Sequence, residues 1–402
     1  MVKISLEESL GLKDSWFVEK IDFNHAALVV DIYISHTGVD LFCPQTGEKG
    51  TLYDHRSSRS WCHLDWFEYK CFLHCRVPRV LCSSGVKTIS VPWANVSERM
   101  TRKMEVALIL YLHSTKNITK TKKHFGCSFR TVQRIMKRSV DYGMSVRSVS
   151  VPEHLSIDEK AYKKGHQYAT IVSDAQHGYV IDMVEGRDLK STQSLLKDIV
   201  GDQQHQVKTI TTDMWKPYIP AAGSELPDSS VNHDRFHLIQ YLNKAIDHVG
   251  RREVKVDDEL KNSRYALLKN KENRTKKQNI IFQLIRDANF EVSKAWRFRE
   301  DFKALFGSEC FDDVQSYLKL WISSVKKSSI KEVMKVAAMF ERHFTGVCNA
   351  LSLEQSNARA EGLNAKIKEV LTIGKGYRHF ENLRISVLFF HGQLKLHPQL
   401  SD

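Results

Sequence analysis

Residues 151 to 174 read VPEHLSIDEKAYKKGHQYATIVSD, and this stretch decides the fold class of the chain. Its first part, residues 154–158, is typical of a β-strand that ends on the carboxylate of Asp158. A loop rich in Lys and Gly follows, and the pattern predicts a second strand over residues 168–173 and a third over 179–184. An acidic residue at the end of the first strand of such a meander is where a metal site of the nuclease type would begin.

The elements downstream extend this sheet. Residues 191–200 carry apolar residues at helical spacing, and residues 207–212 predict a strand that ends on Asp213. A short strand then reaches Asp234 and leads into an amphipathic helix. The order of three strands, a helix, a strand, a helix and a strand predicts a ribonuclease-H-like core, an α/β fold built on a mixed sheet.

The composition restricts the class of protein. At 402 residues the chain is long enough for two or three domains, and 42% hydrophobic with 27% charged residues is ordinary for a globular protein. No apolar run reaches the roughly 20 residues of a membrane span and the first residues lack a signal-peptide pattern, so we expect a cytoplasmic, nucleoid-associated protein. A formal charge of +13 favours a polyanionic partner, most often nucleic acid, with a membrane surface as the alternative.

Two cysteine-bearing turns, CPQTG at 43–47 and CSSG at 82–85, are separated by strand-like runs, which is the plan of a zinc ribbon. A complete ribbon offers two thiolates from each turn. Here only Cys43 and Cys82 remain as possible zinc ligands, because Thr46 stands where the second cysteine of the first turn is expected. Five nearby residues could act as substitutes: Cys62, His63, Cys71, His74 and Cys75. The residues favour a ribbon-shaped fold without metal over a loaded zinc site.

Residues 99–140 predict a helix-turn-helix. One apolar helical face is followed by a short second segment, a turn at Gly126 and a basic helix that begins at the N-cap Ser128. Any three-helix bundle can show this pattern, but the surrounding Lys and Arg residues favour DNA. The side chains expected to contact DNA are Arg130, Gln133, Arg134 and Lys137.

Three carboxylates form the candidate catalytic group. Asp158 and Asp213 are expected on adjacent strands at the same edge of the sheet, and Glu361 lies on a predicted helix. Three polar residues share its helix face: Asn357, Asn364 and Lys368. Two Asp and one Glu can hold two Mg²⁺ or Mn²⁺ ions through oxygen ligands and support in-line phosphoryl transfer. A single Asp at a strand end is commonly a cap residue, but the conjunction of all three favours a catalytic site.

Several segments together resemble the DDE transposases of bacterial insertion sequences, in particular the ISL-three family. They are IDEKAYKKGHQYATIVSD (157–174), TTDMWKPY (211–218), NHDRFHLIQYLNKAIDHV (232–249) and SNARAEGLNAKIKEV (356–370), the last followed by GKGYRHFENLR (374–384). The resemblance runs over almost the whole chain. It implies a catalytic triad of Asp158, Asp213 and Glu361 that binds Mg²⁺ or Mn²⁺, with Asp234 and His237 of the DRFH motif as supporting residues.

The resemblance also implies a domain organisation and partners. We expect a zinc-ribbon-like domain over residues 1–97, a helix-turn-helix domain over 98–142, a linker at 141–152 and a ribonuclease-H-like catalytic domain over 151–402. The helical stretch at about 250–345 would be an insertion in the catalytic core. The partners would be double-stranded DNA, as inverted-repeat ends and as target, and a homo-oligomer would form in the DNA complex, because pairing two ends generally requires at least a dimer.

Two alternatives to an active transposase remain at this point. The chain could be a decayed or domesticated transposase that acts only as a DNA-binding protein, a reading that the incomplete zinc turns support and the intact triad opposes. It could also be a ribonuclease H or a resolvase on the same fold, which the DNA-binding character of the first 140 residues opposes.

Overall fold

The computed structural model describes residues 5–12, 15–147, 150–163, 165, 167–256, 260–261, 263–269, 271–286, 290–306, 311–352 and 358–398, with the backbone alone at 271 and 358–361. The chain divides into two compact units, residues 1–147 with 394–402, and residues 148–393. Each unit has its own hydrophobic core.

The first unit begins with a small helix and strands that form two sheets. These elements are α1 (Leu6–Leu10), β1 (Trp16–Asn24), β2 (Val29–His36), β3 (Thr51–His55), β4 (Arg59–Cys62), β5 (Lys70–Cys75), β6 (Pro78–Cys82) and β7 (Gly85–Thr88). One sheet has the order β1-β2-β5-β4 and the other β3-β6-β7. Alternate residues of β2, namely Val30, Ile32 and Ile34, are buried in one cluster with Trp61 and Leu73, as expected for a strand that buries one face.

Three helices complete the first unit: α2 (Arg102–Thr115), α3 (Ile118–His124) and α4 (Phe129–Val146). The predicted N-cap Ser128 is confirmed, because its side chain accepts a hydrogen bond from Thr131 N–H at 3.1 Å. Gly126 has φ +60° in the turn between α3 and α4, a conformation that favours glycine. On α4, a Cβ atom at Gly143 would lie 2.7 Å from Leu394 Cβ, so the segment after residue 393 covers this helix closely.

The second unit is built on a five-stranded sheet with two associated helices. These elements are β8 (His154–Lys163), β9 (Gln167–Asp174), β10 (Tyr179–Glu185), α5 (Leu189–Val200), β11 (Thr209–Thr212), α6 (Tyr218–Glu225) and β12 (Ser230–His233). The sheet has the order β10-β9-β8-β11-β12, in which β9 is antiparallel to both neighbours and β8, β11 and β12 are parallel. The predicted order of three strands, a helix, a strand, a helix and a strand is confirmed, with α6 as the helix between β11 and β12.

The predicted end of the first strand at Asp158 is wrong. Strand β8 continues to Lys163, because its residues stay paired with β9 from Asp158 opposite Ile171 to Lys163 opposite Gln167. The Lys-rich composition hid this extension, since it lowers the intrinsic strand preference while the pairing with β9 decides the conformation. Asp158 therefore lies in the middle of a strand.

The rest of the second unit is helical: α7 (Arg235–Glu253), α8 (Arg264–Leu268), α9 (Lys276–Arg286), α10 (Glu291–Lys303), α11 (Phe311–Lys327), α12 (Lys331–Arg342), α13 (Phe344–Ser352), α14 (Ala358–Ile373) and α15 (Phe380–His391). Short 3-10 helices occupy Gly201–Gln206 and Lys271–Asn273. Several aromatic residues of this region are core, as their helical spacing indicated: Phe302, Trp321 and Phe340 are buried in one cluster. In the part of the chain that the structure describes, no helix is long and apolar enough to span a membrane.

Candidate active site

Asp158 and Asp213 lie side by side on neighbouring parallel strands. In the pairing of β8 with β11, Thr212 is level with Ile157, and each of the two acidic residues comes next in its chain. Asp213 directly follows the last residue of β11, while Asp158 continues β8. The sheet therefore brings together the two carboxylates that were expected at one edge.

The Asp213 carboxylate is oriented by two donors. Its Oδ1 accepts hydrogen bonds from Met214 N–H at 2.6 Å and from the hydroxyl of Tyr241, on α7, at 3.0 Å. Burial raises the pKa of Tyr241, and the negative charge of Asp213 adds to this shift, so the hydroxyl stays protonated as a donor. The other oxygen, Oδ2, lies 3.8 Å from His237 Nδ1.

The DRFH motif positions the start of α7 beside this carboxylate. Asp234 is the N-cap of the helix: its Oδ1 accepts from Phe236 N–H at 2.8 Å. Its own N–H donates to Thr212 O at 3.2 Å, so the cap is tied to the end of β11. Asp234 therefore fixes the helix that presents His237 and Tyr241 to Asp213.

The Asp158 carboxylate has one oxygen without a hydrogen bond. Its Oδ1 accepts from Glu159 N–H at 2.8 Å. Its Oδ2 is buried and receives no hydrogen bond from the described residues, although Lys160 Nζ lies 3.2 Å away as an ion-pair partner. A buried carboxylate oxygen without a hydrogen bond is destabilising unless a cation or another donor satisfies it.

The third predicted carboxylate, Glu361, belongs to α14, but its side chain lies outside the described residues. Asn357 lies outside them altogether. Farther along the helix, Asn364 is half-buried and Lys368 is exposed, beside the buried Ile367. Among the side chains that are described, no group of three His, Cys, Asp or Glu residues could hold a metal ion.

Arg235 connects the start of α7 to the end of α13. Its Nε donates to Ala350 O at 2.6 Å, and its Nη2 donates to Leu351 O at 3.5 Å. Asp234 and Arg235 directly follow the end of β12. The hydrogen bonds of Arg235 therefore hold the end of α13 close to the end of β12.

His233, the last residue of β12, is buried against α13. Its Nδ1 lies 3.3 Å from Thr212 O, and burial lowers its pKa to about 4. A Cβ atom at Gly346 of α13 would lie 2.7 Å from His233 Nε2. The absence of a side chain at residue 346 therefore lets α13 approach β12 closely.

Sequence reasoning missed a brace formed by Glu159 and Arg187 next to these carboxylates. Arg187 Nη1 donates to Glu159 Oε1 at 2.9 Å, and its guanidinium lies 3.7 Å from the ring centroid of Tyr168 and 4.2 Å from that of Trp215. Trp215 Nε1 in turn donates to Arg187 O at 3.0 Å. Since Trp215 comes two residues after Asp213, the brace ties the chain beyond β11 to strand β8.

Glu159 itself is in an environment that disfavours its charge. Burial raises its pKa more than the neighbouring Arg187 lowers it, and the charges of Asp158 and Asp213 raise it further. Its Oε2 is buried and has no hydrogen-bond partner among the described residues. The only sequence signal was the pair of adjacent acidic residues at 158 and 159, and side-chain alternation along a strand argued against a common role.

The two cysteines expected at the ribbon turns are in contact. The Cys82 thiol donates to Cys43 Sγ at 2.9 Å, and Ser84 Oγ lies 3.5 Å from Cys43 Sγ and 3.3 Å from Cys82 Sγ. Hydrogen bonds from Cys82, Ser84 and Thr46 lower the pKa of Cys43 to about 6. Hydroxyl groups from both turns thus surround the thiol pair.

The five possible substitute ligands are engaged elsewhere. Cys71 and Cys75 are buried in the core of the first sheet, where burial raises the pKa of each thiol to about 12. His74 Nε2 lies 2.6 Å from Asp31 Oδ1, and the remaining two, Cys62 and His63, flank the end of β4. Among the described residues no group of three His, Cys, Asp or Glu could hold a metal ion, so the structure does not bear out the expectation that these residues complete the ribbon site.

The basic residues of α4 divide into two groups. Arg130 and Lys137 are exposed, with Lys137 Nζ 3.2 Å from Asp141 Oδ2 on the same helix, and Gln133 is half-buried. Arg134 Nη2 instead lies 2.7 Å from Glu98 Oε2, and Arg138, one turn later, lies 2.7 Å from Glu98 Oε1. Burial would raise the pKa of Glu98, but the hydrogen bonds from both arginines outweigh it and lower the pKa. Arg134 therefore has a structural partner as well as an exposed position.

Comparison with known proteins identifies the family. The model of the DDE transposases of the ISL3 type, described as "Transposase", matches residues 155–387, more than half of the chain. The chain belongs to this transposase family. A second family model, described as the zinc-finger of transposase IS204/IS1001/IS1096/IS1165, matches residues 42–85 of this transposase.

Curated relatives match this transposase over nearly their whole length. The transposase for insertion sequence element IS1001 of Bordetella parapertussis is 24% identical over 392 residues, which cover 95% of this chain and 96% of the relative. The transposase for insertion sequence element IS1557 of Mycobacterium tuberculosis is 25% identical over 438 residues, with 98% of each chain covered. The resemblance found in the sequence motifs is thus confirmed at the level of the family.

The residues present differ in how well they fit the metals that the family implies. At the strands, the hard carboxylate oxygens of Asp158 and Asp213 fit a divalent cation such as Mg²⁺, and the described partner of Asp158 Oδ2 is itself a cation, the Lys160 ammonium. At the ribbon turns, the cysteines do not fit a zinc ion. Thiolates around a tetrahedral zinc, with Zn–S bonds of about 2.3 Å, lie roughly 3.8 Å apart. Cys43 and Cys82 approach to 2.9 Å, and the second cysteine of each turn is replaced.

Proposed function

We propose that the protein is an active transposase that binds the terminal inverted repeats of its own insertion sequence and catalyses metal-dependent DNA strand cleavage and strand transfer. The observation that carries the proposal is the pair of carboxylates, Asp158 and Asp213, level on adjacent parallel strands, with one buried oxygen left without a hydrogen bond. The sheet order also supports a ribonuclease-H-like core: β9 runs antiparallel between β10 and β8, and β8, β11 and β12 are parallel.

The metal-holding residues would be Asp158, Asp213 and Glu361, which present only oxygen ligands of the kind that Mg²⁺ and Mn²⁺ prefer. When bound, such ions supply activation of a water or 3′-hydroxyl and stabilisation of the leaving 3′-oxygen during in-line phosphoryl transfer. The tie between Arg235 and α13 supports a place for Glu361 near the other two, because the chain leading to it departs beside Asp234.

The other residues of the site would hold the carboxylates in place. Tyr241 donates to Asp213 Oδ1, whereas Asp213 Oδ2 lies 3.8 Å from His237 Nδ1. Asp234 keeps α7 in position through its cap, and the Glu159–Arg187 brace holds the chain after Asp213 against β8. Fixed ligands of this kind favour catalysis because little reorganisation is needed on substrate binding.

DNA binding would fall to the first unit. The short α3, the turn at Gly126 and the long basic α4 support a helix-turn-helix, with Arg130, Gln133 and Lys137 as residues that contact the ends. Arg134 would contribute less than expected, since it pairs with Glu98. The net charge of +13 supports strong phosphate contacts and a marked salt dependence.

The test uses the full-length protein and a labelled duplex that carries the terminal repeats with their flanking sequence. We expect a nick at the element boundary with Mg²⁺ or Mn²⁺ and none with chelator, while end binding persists in both. Asp158→Ala should abolish the nick, and the matched control Asp198→Asn, at an exposed position on α5, should not. Specific binding without a nick under any metal condition would instead indicate a decayed or domesticated DNA-binding protein.

A further inference from the structure

We propose that Cys43 and Cys82 form an oxidisable thiol pair, which a peroxide converts to an intramolecular disulfide that joins the two ribbon turns in place of a zinc ion. The two sulfur atoms come from turns that lie 39 residues apart in the chain and are 2.9 Å apart in space. They need to approach by only about 0.9 Å to reach the ~2.0 Å length of a disulfide bond.

The turns are already held together without metal. Glu48, just after the first turn, accepts a hydrogen bond through Oε1 from Ser83 N–H of the second turn at 2.6 Å. That hydrogen bond lies outside the thiol pair and does not depend on its oxidation state. The reduced and oxidised forms can therefore share one backbone arrangement, and the disulfide forms without a large movement.

Accessibility and contacts favour this pair over the other cysteines. Cys82 is half-buried and can be reached by a small oxidant, whereas Cys71 and Cys75 are buried in the core of the first sheet. Among the described cysteines, no other thiol is hydrogen-bonded to a second sulfur atom. Oxidation that starts at Cys82 therefore finds its resolving thiol in Cys43.

The reaction balances with hydrogen peroxide as the oxidant. Cys82 passes its thiol proton to Cys43 along their hydrogen bond and attacks one peroxide oxygen as a thiolate; the O–O bond breaks, a sulfenic acid forms on Cys82, and the leaving hydroxide takes the proton from Cys43 to become water. The thiolate of Cys43 then attacks the sulfenic sulfur, the S–S bond forms, and the hydroxyl leaves as a second water. Two thiols are oxidised and one peroxide is reduced, and a dithiol reductant reverses the change.

The experiment treats the reduced full-length protein with a small molar excess of hydrogen peroxide, alkylates the remaining thiols, and maps tryptic peptides by mass spectrometry. We expect a cross-linked pair of peptides that contain Cys43 and Cys82. Thiol titration under denaturing conditions should fall by two of the eight cysteines, and dithiothreitol should restore both. A link from Cys43 or Cys82 to another cysteine or to a second chain, or sulfinic acid without a link, would overturn the proposal.

Two variants and an experiment with added zinc distinguish an oxidisable thiol pair from a metal site. Cys82→Ser should lose the cross-link, while Cys127→Ser, which changes another half-buried cysteine of the same unit, should keep it. If Cys82→Ser does not fold, the mapped link in the wild-type protein still decides the question. We expect equimolar zinc added to the reduced protein to leave both thiols open to alkylation. Protection of both by one bound zinc per chain would contradict the proposal.

Discussion

At the scale of single residues, the two carboxylates of the site are held in different ways. Asp213 has its Oδ1 fixed by a backbone N–H and by the Tyr241 hydroxyl, whereas Asp158 Oδ2 is buried without a hydrogen bond from the described residues. A group that is kept unsatisfied in a folded protein is destabilising unless a ligand compensates for it. The Lys160 ammonium lies 3.2 Å from Asp158 Oδ2, so the position already attracts a cation, which is consistent with a cation-binding role.

The first prediction concerns the triad. Asp158→Asn, Asp213→Asn and Glu361→Gln should each lower the rate of strand cleavage by at least about 100-fold, because the loss of one metal ligand removes several kcal/mol of transition-state stabilisation. Binding to the inverted-repeat ends should change little. Single-turnover nicking and gel-shift titration on the same duplex measure the two effects. Near-normal cleavage by any one variant would exclude that residue from the triad.

The second prediction concerns Glu159. Because its pKa in the folded protein is raised above 4.5 by burial, the folded state binds more protons than the unfolded state just above that pH. Stability from this group is present below pH 4.5 and is lost as the pH rises through the raised value. In Glu159→Gln, which can still accept from Arg187, this loss should disappear. Urea midpoints at pH 5 and pH 7 measure it, and an unchanged difference between the two pH values would contradict the assignment.

At the scale of elements, α4 combines a surface role with a structural one. Arg130 is exposed near its start, whereas Arg138 pairs with the buried carboxylates of Glu98 and Glu105 at 2.7 and 2.8 Å. The same helix thus carries an exposed cation and an ion-pair network that holds it to the unit to which it belongs.

The third prediction separates these roles. Arg130→Ala should weaken binding to the ends and reduce the salt slope by about one, with the melting temperature unchanged. Arg138→Ala should instead destabilise the first unit by at least about 1 kcal/mol, because it leaves buried carboxylates without their partner. Gel shifts over a salt series and thermal melts of both variants supply the comparison. Equal losses of binding and stability in the two variants would argue against the division.

The fourth prediction concerns the contact of α13 with β12. Gly346→Ala should destabilise the protein by about 1–3 kcal/mol, since the added Cβ atom would lie 2.7 Å from the buried His233 ring. The matched control is Gly223→Ala on α6, where an added Cβ meets nothing within 4 Å and helix propensity alone favours alanine by roughly 1 kcal/mol. Urea titrations should show opposite signs for the two variants, and a neutral Gly346→Ala would show that α13 can shift.

The elements that could be predicted from sequence are those whose signal is local. The alternation of apolar and smaller residues over 168–173 and 179–184 predicted β9 and β10. This signal is local, because successive side chains of a strand point to opposite faces of the sheet. The position of Asp213 after β11 followed in the same way. The adjacency of β8 and β11 was expected from the order of strands and helices rather than from a local signal, since parallel pairing joins segments that are distant in the chain.

What could not be predicted depends on contacts between distant segments. Arg187 reaches Glu159 only because β10 ends near β8 through β9, and its stacking on Tyr168 and Trp215 requires all three strands in place. The pairing of Arg134 with Glu98 could not be predicted for the same reason, since the sequence of a helix does not indicate which distant acidic residue its basic residues contact. The placement of β4 and β5 in a different sheet from β6 could not be predicted either, because no spacing rule expresses sheet membership.

At the scale of the whole molecule, the chain consists of two units, residues 1–147 with 394–402 and residues 148–393. In the proposed function, one set of three carboxylates acts on one phosphodiester at a time, whereas an insertion sequence has two ends. We therefore expect at least two copies of the chain in the active DNA complex.

The fifth prediction tests this assembly. A mixture of two labelled end duplexes of different length, incubated with the protein and Ca²⁺ in place of Mg²⁺, should give three paired complexes on a native gel: short–short, short–long and long–long. Native mass spectrometry should find at least two chains in each. Complexes with a single duplex only, at protein concentrations that saturate binding, would show that each end is handled by itself.

The packing of Leu394 on Gly143 has a consequence for the order in which the protein matures. The ribosome delivers α4 long before it delivers residues 394–398, because the entire second unit is translated in between. During that interval the face of α4 around Gly143 lacks its native cover. A chain halted before residue 394 thus carries an unfinished first unit, and full assembly of that unit waits for translation to pass this point.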